Sequence, residues 1–258
     1  MSNAVALQIG PLAVHWYGIA WAVAVLWLRY APIFFNCISD GLKDIWYDYI
    51  DLGLITIILG GRLGWVMFYR PDLLAYPMKA IAIWNGGLSF HGALIAGILY
   101  TIQFARNHKI DPYQIMDNLA LWITPCLGIV RIANYVNGEL WGRPTNQAWG
   151  VVFPRVDSLL RHPSQLYEAF SEGLLLGCII WFCYSKLKLK PGQLACVSMF
   201  AYGGIRLLIE INFRAPTYEW LSFISTGALL CLFMMLFSLA LNVRVSNLRV
   251  HRRLKLEQ

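Results

Sequence analysis

Apolar residues run along this chain in blocks of about 20, separated by short polar stretches. A helix that crosses the hydrocarbon of a bilayer needs about 20 mostly apolar residues. Seven segments qualify: 12–30, 50–69, 88–105, 113–133, 164–184, 193–212 and 220–242. The pattern predicts an all-α polytopic membrane protein of about seven transmembrane helices, with its termini on opposite faces. Gly60 and Gly64, and again Gly173 and Gly177, stand at GxxxG spacing, which predicts close helix contact without chemistry. No repeat, low-complexity stretch or linker interrupts the pattern. Residues 1–242 are therefore expected to form one transmembrane domain, followed by a basic cytoplasmic tail at 243–258.

Composition reinforces the bilayer as solvent. Of 258 residues, 58% are hydrophobic and 14% charged, against about 25% charged in a soluble domain. The net charge of +7 says less than its distribution. Arg29, Lys43, Arg106, Lys109, Lys186, Lys188 and Lys190 fall in loops on the same side as the tail RVSNLRVHRRLKLEQ. Basic residues stay cytoplasmic, so the N-terminus is expected outside and the C-terminus inside. The tail reads as an anchor against anionic lipid rather than a nucleic-acid site. Six cysteines show neither CxxC nor His/Cys ligand spacing, so neither a disulfide framework nor a metal site is expected. The N-terminal run lacks a basic n-region and is not read as a cleaved signal peptide.

With that topology, polar clusters converge on the outer layer: HWYG (15–18), GGRLGWVMFY (60–69), WNGGLSFHGALIAG (84–97), RIANYVNGELWGR (131–143), RHPSQLYEA (161–169) and YGGIRLLIE (202–210). An arginine at membrane depth costs roughly 2.5–3.5 kcal/mol and marks a functional site by default. Tyr202, Arg206 and Glu210 stand at i, i+4, i+8 and share a helical stripe. Arg131 and Asn134 share a face on another helix. Two guanidiniums on different helices can grip one phosphate, which they bind bidentately. His91, flanked by Gly87 and Gly92, suits a proton acceptor. His162 is the weaker histidine, placed to help Ser164 cap a helix. Trp16, Trp21, Trp84, Trp141 and Trp149 fit an interfacial belt. A small-anion transporter, or a non-catalytic protein that binds lipid or signal peptide, would use similar residues. The transporter also calls for inverted-repeat halves, which the sequence lacks.

These six motifs, in this order, resemble the prolipoprotein diacylglyceryl transferases of bacteria from about Leu12 to Arg214. The resemblance implies a multi-pass enzyme of the bacterial plasma (inner) membrane with its active site toward the outer face and no cofactor. It would move the diacylglyceryl group of phosphatidylglycerol to the lipobox cysteine of a prolipoprotein signal peptide, forming a thioether and releasing glycerol phosphate. Carried onto matching positions, His91, Arg131 and Arg206 are catalytic. Tyr17, Asn134, Glu139, Gly142 and Tyr202 join the two arginines in binding substrate. Chemically, His91 suits the base for the thiol, the arginines suit the phosphate, and Glu139 and Glu210 are expected to orient the arginines. The chain departs from the family pattern at Val130, Ala133, Tyr135, Ala93 and Thr217, positions that bear on substrate preference.

Overall fold

The computed structural model describes residues 5–10, 12–215, 219–221 and 224–256. Its long helices are α1 (Trp16–Phe34), α2 (Trp46–Tyr69), α3 (Phe90–Asn107), α4 (Pro112–Asn137), α5 (Ser164–Lys186), α6 (Gln193–Asn212) and α7 (Thr226–Leu256). All but α3 meet the length and hydropathy needed to cross a membrane, so six candidate spans stand where seven are expected from sequence. The reason lies in α3 itself, whose 18 residues include His91, Gln103, Arg106 and Asn107.

Two helix starts also differ from expectation, because short hairpins absorb the adjacent apolar residues. Leu12–His15 pairs antiparallel with Val5–Ile9, so α1 begins at Trp16 rather than residue 12. Glu219–Leu221 pairs with Ile224–Ser225, which delays α7 to Thr226. At its other end α7 runs to Leu256 without a break at residue 242. Its 31 residues give about 46 Å at 1.5 Å per residue, well beyond the ~30 Å of hydrocarbon.

Contacts divide the chain into two units, residues 32–115 and residues 1–31 with 116–258. In the first, α2 and α3 run antiparallel with their backbones touching. A Cβ on Gly60 would overlap Ala96, and one on Gly64 would lie 2.7 Å from the Cα of Gly92. This is the close contact that the GxxxG spacing predicts. Ala93 packs on the same seam, 3.5 Å from where a Cβ on Gly61 would sit. Toward the start of α2, Tyr49 stacks on Tyr100 at 5.3 Å and meets Phe104 edge-on at 5.1 Å.

In the second unit α4 and α5 cross where Gly128 meets Gly173 and Thr124 meets Gly177. Asp117 of α4 caps the start of α6, accepting from the backbone N–H of Gly192 at 2.7 Å and of Ala195 at 2.8 Å. Within α5, residues Ala169–Leu175 form a π-helical segment. The loop between α4 and α5 folds back on itself: Val151–Val152 pairs with Leu160–Arg161, and Gly142 bridges to Arg214 beyond α6.

Candidate active site

Three helices of the second unit bring six opposite charges into one buried cluster. Arg131 comes from α4, Glu168 and Glu172 from α5, Arg206 and Glu210 from α6, and Arg214 follows two residues after α6 ends. Both α5 carboxylates are completely buried. Arg131 Nε lies 3.0 Å from Glu168 Oε2 and 3.0 Å from Glu172 Oε2. Arg206 Nη1 lies 2.8 Å from Glu168 Oε1 and 3.3 Å from Glu172 Oε1, while its Nη2 reaches Glu210 Oε2 at 3.1 Å. Arg214 Nη1 meets Glu168 Oε1 at 2.7 Å. Each α5 carboxylate thus bridges Arg131 and Arg206, and three guanidiniums face three carboxylates. Burying charge is costly, and pairing of this kind offsets the cost. The π-helical segment begins directly after Glu168 and contains Glu172, and such segments are frequent at functional sites.

The guanidiniums are not equivalent. Among the described residues Arg131 commits only Nε, leaving both terminal nitrogens without a protein acceptor. Arg206 commits both of its terminal nitrogens. Sequence reasoning singled out Arg131, Arg206 and Glu210 and missed Glu168, Glu172 and Arg214. A signal for the first two was present: carboxylates at i, i+4 entering the apolar run of the fifth span. Glu139 corrects an expectation, since it orients carboxamides instead of arginines. Its Oε1 accepts from Asn134 Nδ2 at 2.8 Å and from Asn137 Nδ2 at 3.3 Å.

Two motifs bind each other at the mouth of α4 and α5. Gln165 Nε2 donates to the Glu139 carbonyl at 2.6 Å, and Ser164 Oγ donates to the Leu140 carbonyl at 3.2 Å. Ser164 is therefore the first helical residue and Pro163 the cap position, contrary to the capping role expected of that serine. Gly142 is buried between two backbone carbonyls. A Cβ there would overlap His162 O and lie 2.6 Å from Phe213 O, so only glycine lets the three chain segments meet. Arg161 holds this loop through both oxygens of Asp157 (2.5 and 3.2 Å) and the Gly142 carbonyl (3.1 Å). The guanidinium bonded to Asp157 keeps its carboxyl below the usual carboxylate range. Trp141 lies under Arg161 at 4.4 Å, a cation–π partner as well as an aromatic near a span end. Arg143 donates Nε to the Arg214 carbonyl at 2.8 Å. Tyr167 O–H takes the Trp149 indole N–H at 2.8 Å and stands 3.2 Å from His162 Nδ1.

The remaining expected site residues fall as follows. Tyr202 lies one turn before Arg206 on α6. Tyr17 is in the first turn of α1, its ring edge-on to Trp21 at 6.3 Å, with no bond to the cluster among the described residues. His91 belongs to the 32–115 unit as the second residue of α3; its side chain lies outside the described residues. Of the departures from the family pattern, Ala133 is buried and Tyr135 packs edge-on against buried Phe153. Thr217 lies outside the described residues.

Comparison with known proteins places this geometry in context. Residues 4–244 match the family model described as prolipoprotein diacylglyceryl transferase. The chain is similar to the phosphatidylglycerol–prolipoprotein diacylglyceryl transferase of Bordetella avium, with 41% identity over 217 residues, 82% of this chain and 81% of the relative. It is similar to the enzyme of that name from Nitrosomonas europaea, at 39% identity over 86% of this chain and 81% of the relative. The Mesorhizobium japonicum enzyme of that name is 41% identical over 84% of this chain and 79% of its own length. With its membrane helices and the match spanning nearly its whole length, the chain belongs to the prolipoprotein diacylglyceryl transferase family.

Proposed function

We propose that Arg131 is the phosphate ligand of a diacylglyceryl transfer in which phosphatidylglycerol donates to the lipobox cysteine of a prolipoprotein. The observation that carries this role is the open fork of Arg131. Its charge is held in place through Nε while Nη1 and Nη2 keep their N–H groups for an incoming anion. Two parallel N–H donors are the geometry a phosphate oxygen pair accepts. Arg206, tied at both terminal nitrogens, contributes fixed positive charge and its Nε rather than a fork. Tyr202 completes that wall. Tyr17, Asn134, Glu139 and Gly142 shape the surroundings of the headgroup and peptide, Asn134 through its bond to Glu139.

The chemistry follows from these roles. His91 takes the thiol proton, because the thiolate is the attacking species. Sulfur attacks the glycerol carbon that bears the phosphate. The new C–S bond forms as the C–O bond breaks, and the electron pair leaves on the phosphate oxygen of glycerol phosphate. The arginines stabilise the charge that develops there, a contribution of about 100–1000-fold for one such donor. Glu168, Glu172 and Glu210 keep the guanidiniums in register.

In this reading α3 is a seventh crossing. Its 18 residues extend about 27 Å at 1.5 Å per residue, and its contacts run from Gly53–Tyr100 to Gly64–Gly92 along α2, which is long and apolar enough to span. Seven crossings put the termini on opposite faces, and the basic loops and tail put the C-terminus inside, with the site toward the outer face of the bacterial inner membrane. Residues 1–242 then work as one catalytic domain, with 243–258 as the basic inner tail.

The test is a mass measurement. Purified protein, phosphatidylglycerol and a lipobox peptide should yield peptide heavier by one diacylglyceryl group, and a Cys→Ser peptide should yield none. Arg131→Ala should lose about 100–1000-fold in rate with its fold intact. Near-native transfer by that variant removes the phosphate-ligand role.

A further inference from the structure

Arg62 is a buried guanidinium of the 32–115 unit, and among the described residues its hydrogen-bond acceptors are all backbone carbonyls. Its Nε donates to Ala80 O at 2.6 Å, its Nη2 to Lys79 O at 2.7 Å, and its Nη1 to Gly86 O and, at 3.1 Å, to Gly87 O. The face of the guanidinium lies 4.6 Å from the Trp65 ring. Every nitrogen is engaged, yet among the described residues no carboxylate neutralises it. Burying a charge against carbonyl dipoles alone is costly, far more than closing an ordinary surface loop requires. Both bonded stretches, 79–80 and 86–87, belong to the segment that leads from α2 into α3.

What that segment delivers is the start of α3. Gly86 and Gly87 turn the chain at φ +76° and +81°, with Gly87 pressed so closely on Trp65 that a Cβ would lie 2.5 Å from its ring. Ser89 follows, almost fully buried. Its N–H donates to Gly61 O at 2.8 Å and its Oγ accepts from the Gly92 N–H at 3.3 Å, capping the helix. The first turn of α3 is thereby pinned to two adjacent residues of α2, Gly61 through its carbonyl and Arg62 through its guanidinium. His91 stands in that turn, two residues after the cap.

We infer that Arg62 is a positioning residue for His91: its fork sets the height and rotation at which α3 begins, and so where the imidazole is presented. The inference rests on the reading of His91 as the base and deepens it. Arg62 itself touches no substrate. A lysine would keep the charge but not the clamp, because a single nitrogen cannot reach carbonyls of two separate stretches.

The experiment uses full-length protein in phosphatidylglycerol nanodiscs with 13C-labelled histidine. Five histidines are present, and His91→Gln identifies the His91 resonance. In Arg62→Lys that resonance should move or broaden while the other four stay put. Turnover should fall about 100-fold, the order expected for a misplacement of about 1 Å, with KM for phosphatidylglycerol essentially unchanged. An unmoved His91 resonance, or a loss expressed in KM alone, overturns the inference. Should Arg62→Lys fail to fold, Ser89→Ala loosens the same cap with Arg62 intact, and the same displacement of the His91 signal is expected. Turnover retained in His91→Gln removes only the base reading, because the resonance in Arg62→Lys still decides whether Arg62 sets the position of His91.

Discussion

Glu168→Gln is the sharpest perturbation of the charge cluster, because one carboxylate serves three arginines. Its oxygens lie 3.0 Å from Arg131 Nε, 2.8 Å from Arg206 Nη1 and 2.7 Å from Arg214 Nη1, with no solvent exposure. Glutamine keeps the shape and removes one negative charge, so three guanidiniums face two carboxylates around a side chain that is itself fully buried. Removing one partner of a buried ion pair typically costs about 3–5 kcal/mol. The amide oxygen still accepts from one guanidinium at a time, which places the expected loss toward about 3 kcal/mol. A shift of that size should be plain in a denaturant titration of the purified protein in detergent. Turnover should fall as well, by about 100-fold if the guanidiniums move by about 1 Å. The matched control is Glu139→Gln, whose carboxylate touches Asn134 and Asn137 and, among the described residues, no arginine; it should be the milder of the two in stability. Glu168→Gln with stability within about 1 kcal/mol of the parent and rapid transfer would mean that the arginines are held by something else.

Other expectations bear on neighbouring parts of the structure. Gly64→Leu drives a side chain into the Gly92 backbone and should separate α2 from α3, with a loss of about 1–3 kcal/mol seen as earlier unfolding in detergent. Gly142→Ala places a methyl against the His162 and Phe213 carbonyls, so transfer by the purified variant should drop even at permissive temperature. The Arg161 bond keeps the Asp157 carboxyl below its usual range. Its folded-state pKa is depressed, so its contribution is present above the unfolded value of about 3.9 and is lost as pH falls through the folded value. Thermal melts at neutral and acid pH should therefore show a steeper acid decline for the parent than for Asp157→Asn.

The helices were legible because a bilayer imposes a simple code: about 20 apolar residues per crossing. All of the expected segments became helices, with ends moved wherever a hairpin with strands of two to five residues claimed part of the run. Such hairpins carry too few residues for a pattern to emerge from apolar surroundings. The α3 helix was visible as apolar sequence, yet its polar first and last turns keep it outside the hydropathy criterion. In the site, Tyr202, Arg206 and Glu210 could be read from spacing alone, since i, i+4, i+8 fixes one face of a helix. Glu168 and Glu172 also stand at i, i+4, but their partners lie on α4 and α6, and pairing between helices is a property of the fold that local spacing does not encode. The same limit applies to Arg62, whose acceptors are backbone carbonyls 17 to 25 residues away.

The way charge is distributed explains why the proposed anion site would need acids at all. A pair of bare arginines at membrane depth would repel each other and lose their hydration, each at several kcal/mol. Glu168 and Glu172 screen the repulsion and offset part of the lost hydration by bridging Arg131 and Arg206. Complete neutralisation, however, would leave nothing to attract a phosphate. The cluster resolves this through geometry rather than net charge: the carboxylates meet Arg131 at Nε, the inner edge of the guanidinium, and leave its terminal nitrogens open. Arg131→Lys tests that division directly. Lysine has a single nitrogen, so the group that pairs with the carboxylates is also the group that must bind phosphate. The variant should fold with its ion pairs intact and bind phosphatidylglycerol weakly, raising KM as well as slowing transfer. Equal KM values for parent and Arg131→Lys would show that the fork contributes nothing beyond its charge.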